Sequence, residues 1–187
     1  PMRSSAASDV YKRQDSNRGV VYSNYRSGSN NRIIAYHSWD DFNDADRNTN
    51  APNIILTGSL DGNVSAIKVS PHTTDSSTIF VGTEAGSVFK VTNADTADAN
   101  ENSTANWSNI TGGQFLGSVS DIELGKDENH IFVTFHNYGV ENVFYSEDGG
   151  QSWTEKEGNL PDIPVRCVLQ NPLSENEVII GTELGVW

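Results

Sequence analysis

Three short runs, VSAIKVSP (64–71), VSDIELGK (119–126) and VRCVLQNP (165–172), repeat one pattern along the chain. Each is β-prone, with apolar residues at its first, fourth and usually its sixth position. Each is followed by a polar loop and a second apolar run: TIFVGTEAGSVFKV (78–91), HIFVTFHNYGVENVFYS (130–146) and EVIIGTELGVW (177–187). GTEAG (82–86) and GTELG (181–185) agree at four of five positions. Two tryptophans set the register, Trp107 twelve residues before Val119 and Trp153 twelve residues before Val165. The run starts are 55 and then 46 residues apart. That is the period of sheet units stacked around an axis, since one such unit cannot bury both of its faces alone.

Within one unit the pattern predicts four strands, placed in the middle unit at roughly 118–124, 130–136, 141–147 and 152–157. No segment longer than about ten residues carries a 3.6-residue period, so helix is a minor element at most. The expected fold is all-β: a partial propeller of roughly two complete four-stranded blades (64–111 and 118–158) and two partial ones (15–60 and 164–187). Insertions sit at 40–53 and 92–106, both rich in Asp and Asn.

Charge narrows the partners. The chain has 187 residues, 12 Lys and Arg against 25 Asp and Glu, and a formal charge of −13. Such a surface repels phosphate backbones and anionic lipid, which argues against nucleic acid and membrane insertion. Cys167 is the single cysteine, so neither a disulfide framework nor a cysteine-based zinc site can form within the chain. Its alternation with Val165 and Leu169 predicts a buried core thiol.

The octapeptide SEDGGQSW (146–153) follows an S-x-D-x-G-x-[ST]-W pattern. Asp148 can accept hydrogen bonds from main-chain amides of its own turn, and Gly149 and Gly150 permit positive φ. Ser146 and Ser152 can bond across the hairpin, while Trp153 offers a large ring to neighbouring strands. The pattern resembles the Asp box (BNR repeat) of sialidases, sortilin and xyloglucanases, all β-propellers. That resemblance implies a structural hairpin on the outer rim, between the third and fourth strands of a blade, away from a central ligand site. The run from 142 to 187 is also similar to propeller modules of large secreted Bacteroidetes proteins. This implies a secreted or cell-surface setting, with extracellular glycan or protein as partner. Near Trp107 the D-G-G has been lost, so the chain departs from a regular array of boxes.

Residues 1–14 end in DVYKRQ, which resembles the in-frame translation of a sequencing adaptor, as expected of a read from an environmental library. They are expected to be an artefact or disordered tail with almost no contacts to the rest.

Chemistry-bearing constellations are sparse. A sialidase site needs three converging arginines, and beyond Arg47 only Arg166 follows. An inverting glycoside hydrolase needs two carboxylates about 6.5–9.5 Å apart across a groove. Asp121 and Glu123 share one inner strand, a common accident of i, i+2 spacing. Asp44, Asp46 and Asn48, with Asn50, alternate oxygen ligands as calcium loops do. However, the glycine and glutamate of an EF-hand are missing, and Ile55 stands at the twelfth position. A solvated loop is therefore the preferred reading, with calcium as the alternative, and no other cofactor is expected. Lys68 and Glu123 occupy the same repeat position, so in adjacent blades they could form an ion pair near the axis. The resulting expectation is a non-catalytic propeller module binding glycan or protein. The alternatives are a fragment of a xyloglucanase-like hydrolase and an accessory propeller of a secreted protease.

Overall fold

An apolar spacing of three does not suit a plain strand, whose side chains alternate with period two. The structure, a computed structural model, resolves this with a β-bulge. It describes residues 12–27, 30–36, 53–56, 58, 60–100 and 102–187. In the first repeat, Val64 pairs with Thr83 and Ala66 with Gly82, leaving Ser65 as the extra residue. Ser120 and Arg166 are the extra residues at the same place in the other two repeats. One inserted residue turns positions one and four to the same side. Val64 and Ile67, Val119 and Ile122, and Val165 and Val168 are accordingly all buried.

Four antiparallel meanders result. The first sheet holds β1 (Lys12–Asp15), β2 (Val20–Ser27), β3 (Asn30–Tyr36) and β4 (Ile54–Ile55). The second holds β5 (Val64–Val69), β6 (Ile79–Thr83), β7 (Val88–Thr92) and β8 (Asn106–Asn109). The third holds β9 (Val119–Leu124), β10 (Ile131–Phe135), β11 (Val143–Ser146) and β12 (Thr154–Glu155). The last has three strands, β13 (Val165–Gln170), β14 (Val178–Thr182) and β15 (Gly185–Val186). The first strands of successive sheets, β1, β5, β9 and β13, lie side by side, and no helix occurs among the described residues. This is part of a β-propeller, viewed as sheets fanning outward from their first strands.

The sheets stack face to face through three apolar layers. Tyr22, Ile33 and Leu56 meet Ile67, Ile79 and Val81 between the first two sheets. Phe80 and Val88 meet Val119, Ile122, Phe135 and Phe144 between the second and third. Phe132 and Val143 meet Val165, Val168 and Ile180 between the third and last. Each sheet therefore buries both faces only when it has a neighbour on each side.

Two expectations are corrected. Lys12, Arg13 and Gln14 do not lie outside the fold: they pair with Ser23, Tyr22 and Val21 as part of β1. Main-chain groups suffice for that pairing, and Arg13 and Gln14 are exposed. The first sheet consequently has four strands, so three sheets are four-stranded where two were expected. Its fourth strand is only two residues long and follows the 37–53 segment, which disguises it in the sequence. Cys167 is exposed rather than buried. The bulge at Arg166 breaks simple alternation, so Cys167 faces away from Val165 and Val168. Its counterpart Ala66 is buried between the second and third sheets, whereas Cys167, Leu169 and Ile179 lie on the open side of the last sheet.

Candidate functional site

The groups nearest the axis are those on the first strands. Lys68 of β5 donates to Glu123 of β9, an ion pair joining the second and third sheets. The shared repeat position placed them correctly. Asp121 of β9 accepts the amide of Val168 on β13 at 3.1 Å and that of Ile122 at 2.9 Å. Burial raises the Asp121 carboxyl above its usual range, against the lowering pull of those two amides and of Lys68. Both acids considered as a catalytic pair are thus engaged in joining neighbouring sheets.

The connections divide into two ends. At one end lie the turns after the first and third strands of each sheet. Here Glu128 accepts from Ser70 Oγ at 2.6 Å, Thr73 and Lys90, tying the third sheet to the second. Asp15, Ser77, Asp95 and Arg18 tie the second sheet to the first. Ser77 Oγ donates to Asp15 at 2.6 Å, Ser77 N to Asp95 at 2.7 Å, and Arg18 Nε to Asp95 at 2.7 Å.

The Ser146–Trp153 hairpin lies at this same end, on the outer edge of the third sheet. Ser146 Oγ donates to Asp148 Oδ1 at 2.8 Å and accepts the Gly150 amide at 2.8 Å. Ser152 donates its amide to Asp148 Oδ1 at 2.9 Å and its hydroxyl to Oδ2 at 2.6 Å. These donors lower the Asp148 carboxyl to about 2, with the Ser152 hydroxyl bond first among them. Gly149 and Gly150 take φ of 74° and 89°, a region that suits glycine. Trp153 reaches beyond its own sheet: Nε1 donates to Ile110 O at 2.8 Å, and the ring meets Phe115 at 5.0 Å. The metal candidates Asp44, Asp46 and Asn48 lie outside the described residues. Among the described residues, no group of three or more His, Cys, Asp or Glu is arranged to hold a metal ion.

At the opposite end lie the turns after second strands and the connections between sheets. A cleft of about 460 Å³ opens there between Leu116, Gly139, Val140, Glu157, Leu160 and Asp162. Beside it, Tyr138 donates its hydroxyl to Glu183 Oε2 at 2.7 Å, and Arg166 donates to Glu183 Oε1 at 2.5 Å. His136 Nε2 stands 3.8 Å from the same oxygen. The Tyr138 bond, then Arg166, holds the Glu183 carboxyl below its ordinary value, and Glu183 in turn raises the Tyr138 phenol. Tyr138, Glu183 and His136 were not singled out together from sequence. The signal available was Tyr138 itself, an aromatic at a turn tip where the aligned repeats carry Ala85 and Leu184.

Comparison with solved structures agrees with this architecture. The chain superposes on YCF48 from Cyanidioschyzon merolae with a TM-score of 0.58 at 16% identity, covering 95% of this chain and 48% of that one. The fold is a propeller. The GH74 enzyme of Niastella koreensis matches at 0.56 and 17% identity, over 89% of this chain and 24% of that one. The GH74 xyloglucanase from Xanthomonas campestris matches at 0.55 and 12%, over 88% and 25%. The chain therefore spans about half of the first structure and about a quarter of the other two, and at these identities the likeness is one of fold. No protein-family model and no curated protein sequence matches the chain.

Proposed function

We propose that this chain is part of a non-catalytic β-propeller module of a secreted or cell-surface protein, and that it binds glycan or protein. The observation that carries this reading is the engagement of the axial carboxylates. Glu123 is neutralised by Lys68, and Asp121 caps the Val168 and Ile122 amides. A hydrolase needs one carboxyl free to give up a proton and a second facing it across open space. Acids that hold sheets together serve neither role. The Ser146–Trp153 hairpin, read as an Asp box, supports the same setting, because it stabilises a blade and leaves the far end for ligand.

One observation favours the second reading, a fragment of a polysaccharide-directed hydrolase. The Asp121 carboxyl is raised by burial, the direction a general acid requires, and two of the matched structures are GH74 enzymes. Incubation of the purified chain with soluble xyloglucan, mixed-linkage β-glucan and a sialoside separates the two. The module reading expects no release of reducing ends or sialic acid. Turnover that disappears in Asp121→Asn, with the fold intact, would replace it with the hydrolase.

A further inference from the structure

The turns after the second strands follow one scheme in the second and third sheets. In the second sheet, Glu84 accepts from Asn63 Nδ2 at 2.8 Å and donates its amide to Asn63 O at 2.9 Å. In the third, Asn137 Oδ1 accepts the Ser118 amide at 2.7 Å, and the His136 amide donates to Ser118 O at 3.0 Å. Each turn is thereby fastened to the connection that enters its own sheet. By strand pairing, in which Thr83, Phe135 and Thr182 face Val64, Val119 and Val165, Glu183 of the last sheet corresponds to Glu84 and His136, yet its carboxylate reaches elsewhere. It takes the hydroxyl of Tyr138 from the preceding sheet and the guanidinium of Arg166 from its own first strand. Tyr138 precedes Gly139 as Ala85 and Leu184 precede Gly86 and Gly185.

The departure produces a recognisable arrangement. Tyr138 is 62% exposed, and its hydroxyl is anchored so that the ring is held in place. Among the described residues no aromatic ring packs against it. Arg166, whose guanidinium has five donors, and Glu183, with two acceptor oxygens, lie at its edge. The next residue, Gly139, lines the cleft that Leu116 and Leu160 also border. A flat apolar ring fixed beside planar donors and acceptors matches a pyranose, which offers an apolar C–H face and a rim of hydroxyls. The opposite charges of Arg166 and Glu183 offset each other, and Glu141, Glu157 and Asp162 at the cleft disfavour anions.

We infer that Tyr138, Arg166 and Glu183 form a subsite for a neutral saccharide, with the sugar ring stacked on Tyr138. This rests on the reading of the chain as a binding module and names the ligand class of its loop end.

The test is a titration of the full chain, followed by NMR chemical-shift changes, with cellohexaose, a xyloglucan oligosaccharide and an oligogalacturonate. The neutral probes are expected to bind. Tyr138→Ala should weaken that binding about tenfold or more, as loss of a central aromatic contact does. Tyr138→Phe, which keeps the ring but loses its Glu183 anchor, should fall between Tyr138→Ala and the parent, and Leu184→Ala at the sister turn should leave affinity unchanged. A thermal melt of each variant checks the fold, which the exposure of Tyr138 should spare. Equal affinity of Tyr138→Ala and the parent overturns the subsite and leaves the module reading standing. Absence of binding by either neutral probe at about 10 mM, or preference for the oligogalacturonate, overturns the neutral-saccharide assignment and leaves a module with another partner. Hydrolysis of a probe would overturn the module reading while leaving the stacking on Tyr138 to be judged by its own variants.

Discussion

The hairpins that close the second and third sheets solve the same problem with different chemistry. In the third sheet, residues 147–153 join β11 to β12 around a single carboxylate, Asp148, whose bonds stay within the hairpin. The hairpin's link to the preceding sheet is the Trp153 bond to Ile110 O, and the ring also packs on Phe115 of the connection between the two sheets. In the second sheet, residues 93–105 join β7 to β8 in a longer excursion that divides those tasks between two acids. Asp98 caps its own loop, accepting the amides of Asn100 and Asn102 at 2.9 Å each. Asp95 turns inward to the Ser77 amide and to Arg18 of the first sheet. Trp107 keeps the repeat position and lies over Gly58, where a Cβ would come within 2.2 Å of the ring, just as Trp153 lies against Gly112. Its indole nitrogen, though, is buried and finds no partner among the described residues. At its hairpin, then, the third sheet is fastened to its predecessor by a neutral hydrogen bond beside an aromatic cluster, and the second by a part-buried ion pair, whatever other ties the sheets share. Both repeats thus place a tryptophan against a glycine of the incoming connection, while the kind of bond beside it differs.

The largest effect should come from breaking the aromatic fastening. Phe115 touches Phe135, Phe144 and Trp153 with ring centroids 4.9–5.0 Å apart. Phe115→Ala should destabilise the chain by about 3–5 kcal/mol, through lost burial and the cavity left behind. Denaturant melts measure this, and a loss under about 1 kcal/mol would show that the layer does not carry the attachment.

A smaller effect is expected at the ion pair. Arg18→Met takes the guanidinium away from the Asp95 carboxylate, whose side chain is 1% exposed, while that of Arg18 is 35% exposed and screened by solvent. The expected cost is about 2 kcal/mol, mostly from the carboxylate left with fewer donors. If the two fastenings differ in kind, added salt should narrow the gap between Arg18→Met and the parent but not the gap for Phe115→Ala. Equal salt responses would erase the distinction.

The smallest effect is pH-dependent. The Asp148 carboxyl titrates at about 2 in the folded chain, below the ordinary unfolded value. Its contribution is therefore fully present above about pH 4 and is lost as the pH falls toward 2. Melts compared at about pH 5 and about pH 2.5 should show a larger drop for the parent than for Asp148→Asn. Identical drops would mean that the Ser146 and Ser152 bonds to Asp148 do not stabilise the hairpin.

Much of this was readable in the residues. The repeated β-prone runs, the tryptophan register and the SEDGGQSW hairpin define sheet units, because strand alternation, turn glycines and Asx bonding are local physics. The Lys68–Glu123 pair was readable too, since equal repeat positions become neighbours once units stack. The side a residue faces was not. Apolar positions one and four of each run make sense only with the bulges at Ser65, Ser120 and Arg166, and a bulge is visible only in the pairing of two strands. Cys167 was misplaced for that reason, and because a buried face requires a second sheet that its own sequence does not contain. The meeting of Tyr138, Arg166 and Glu183 depends on three segments from two sheets, and only the stacking of those sheets brings them together.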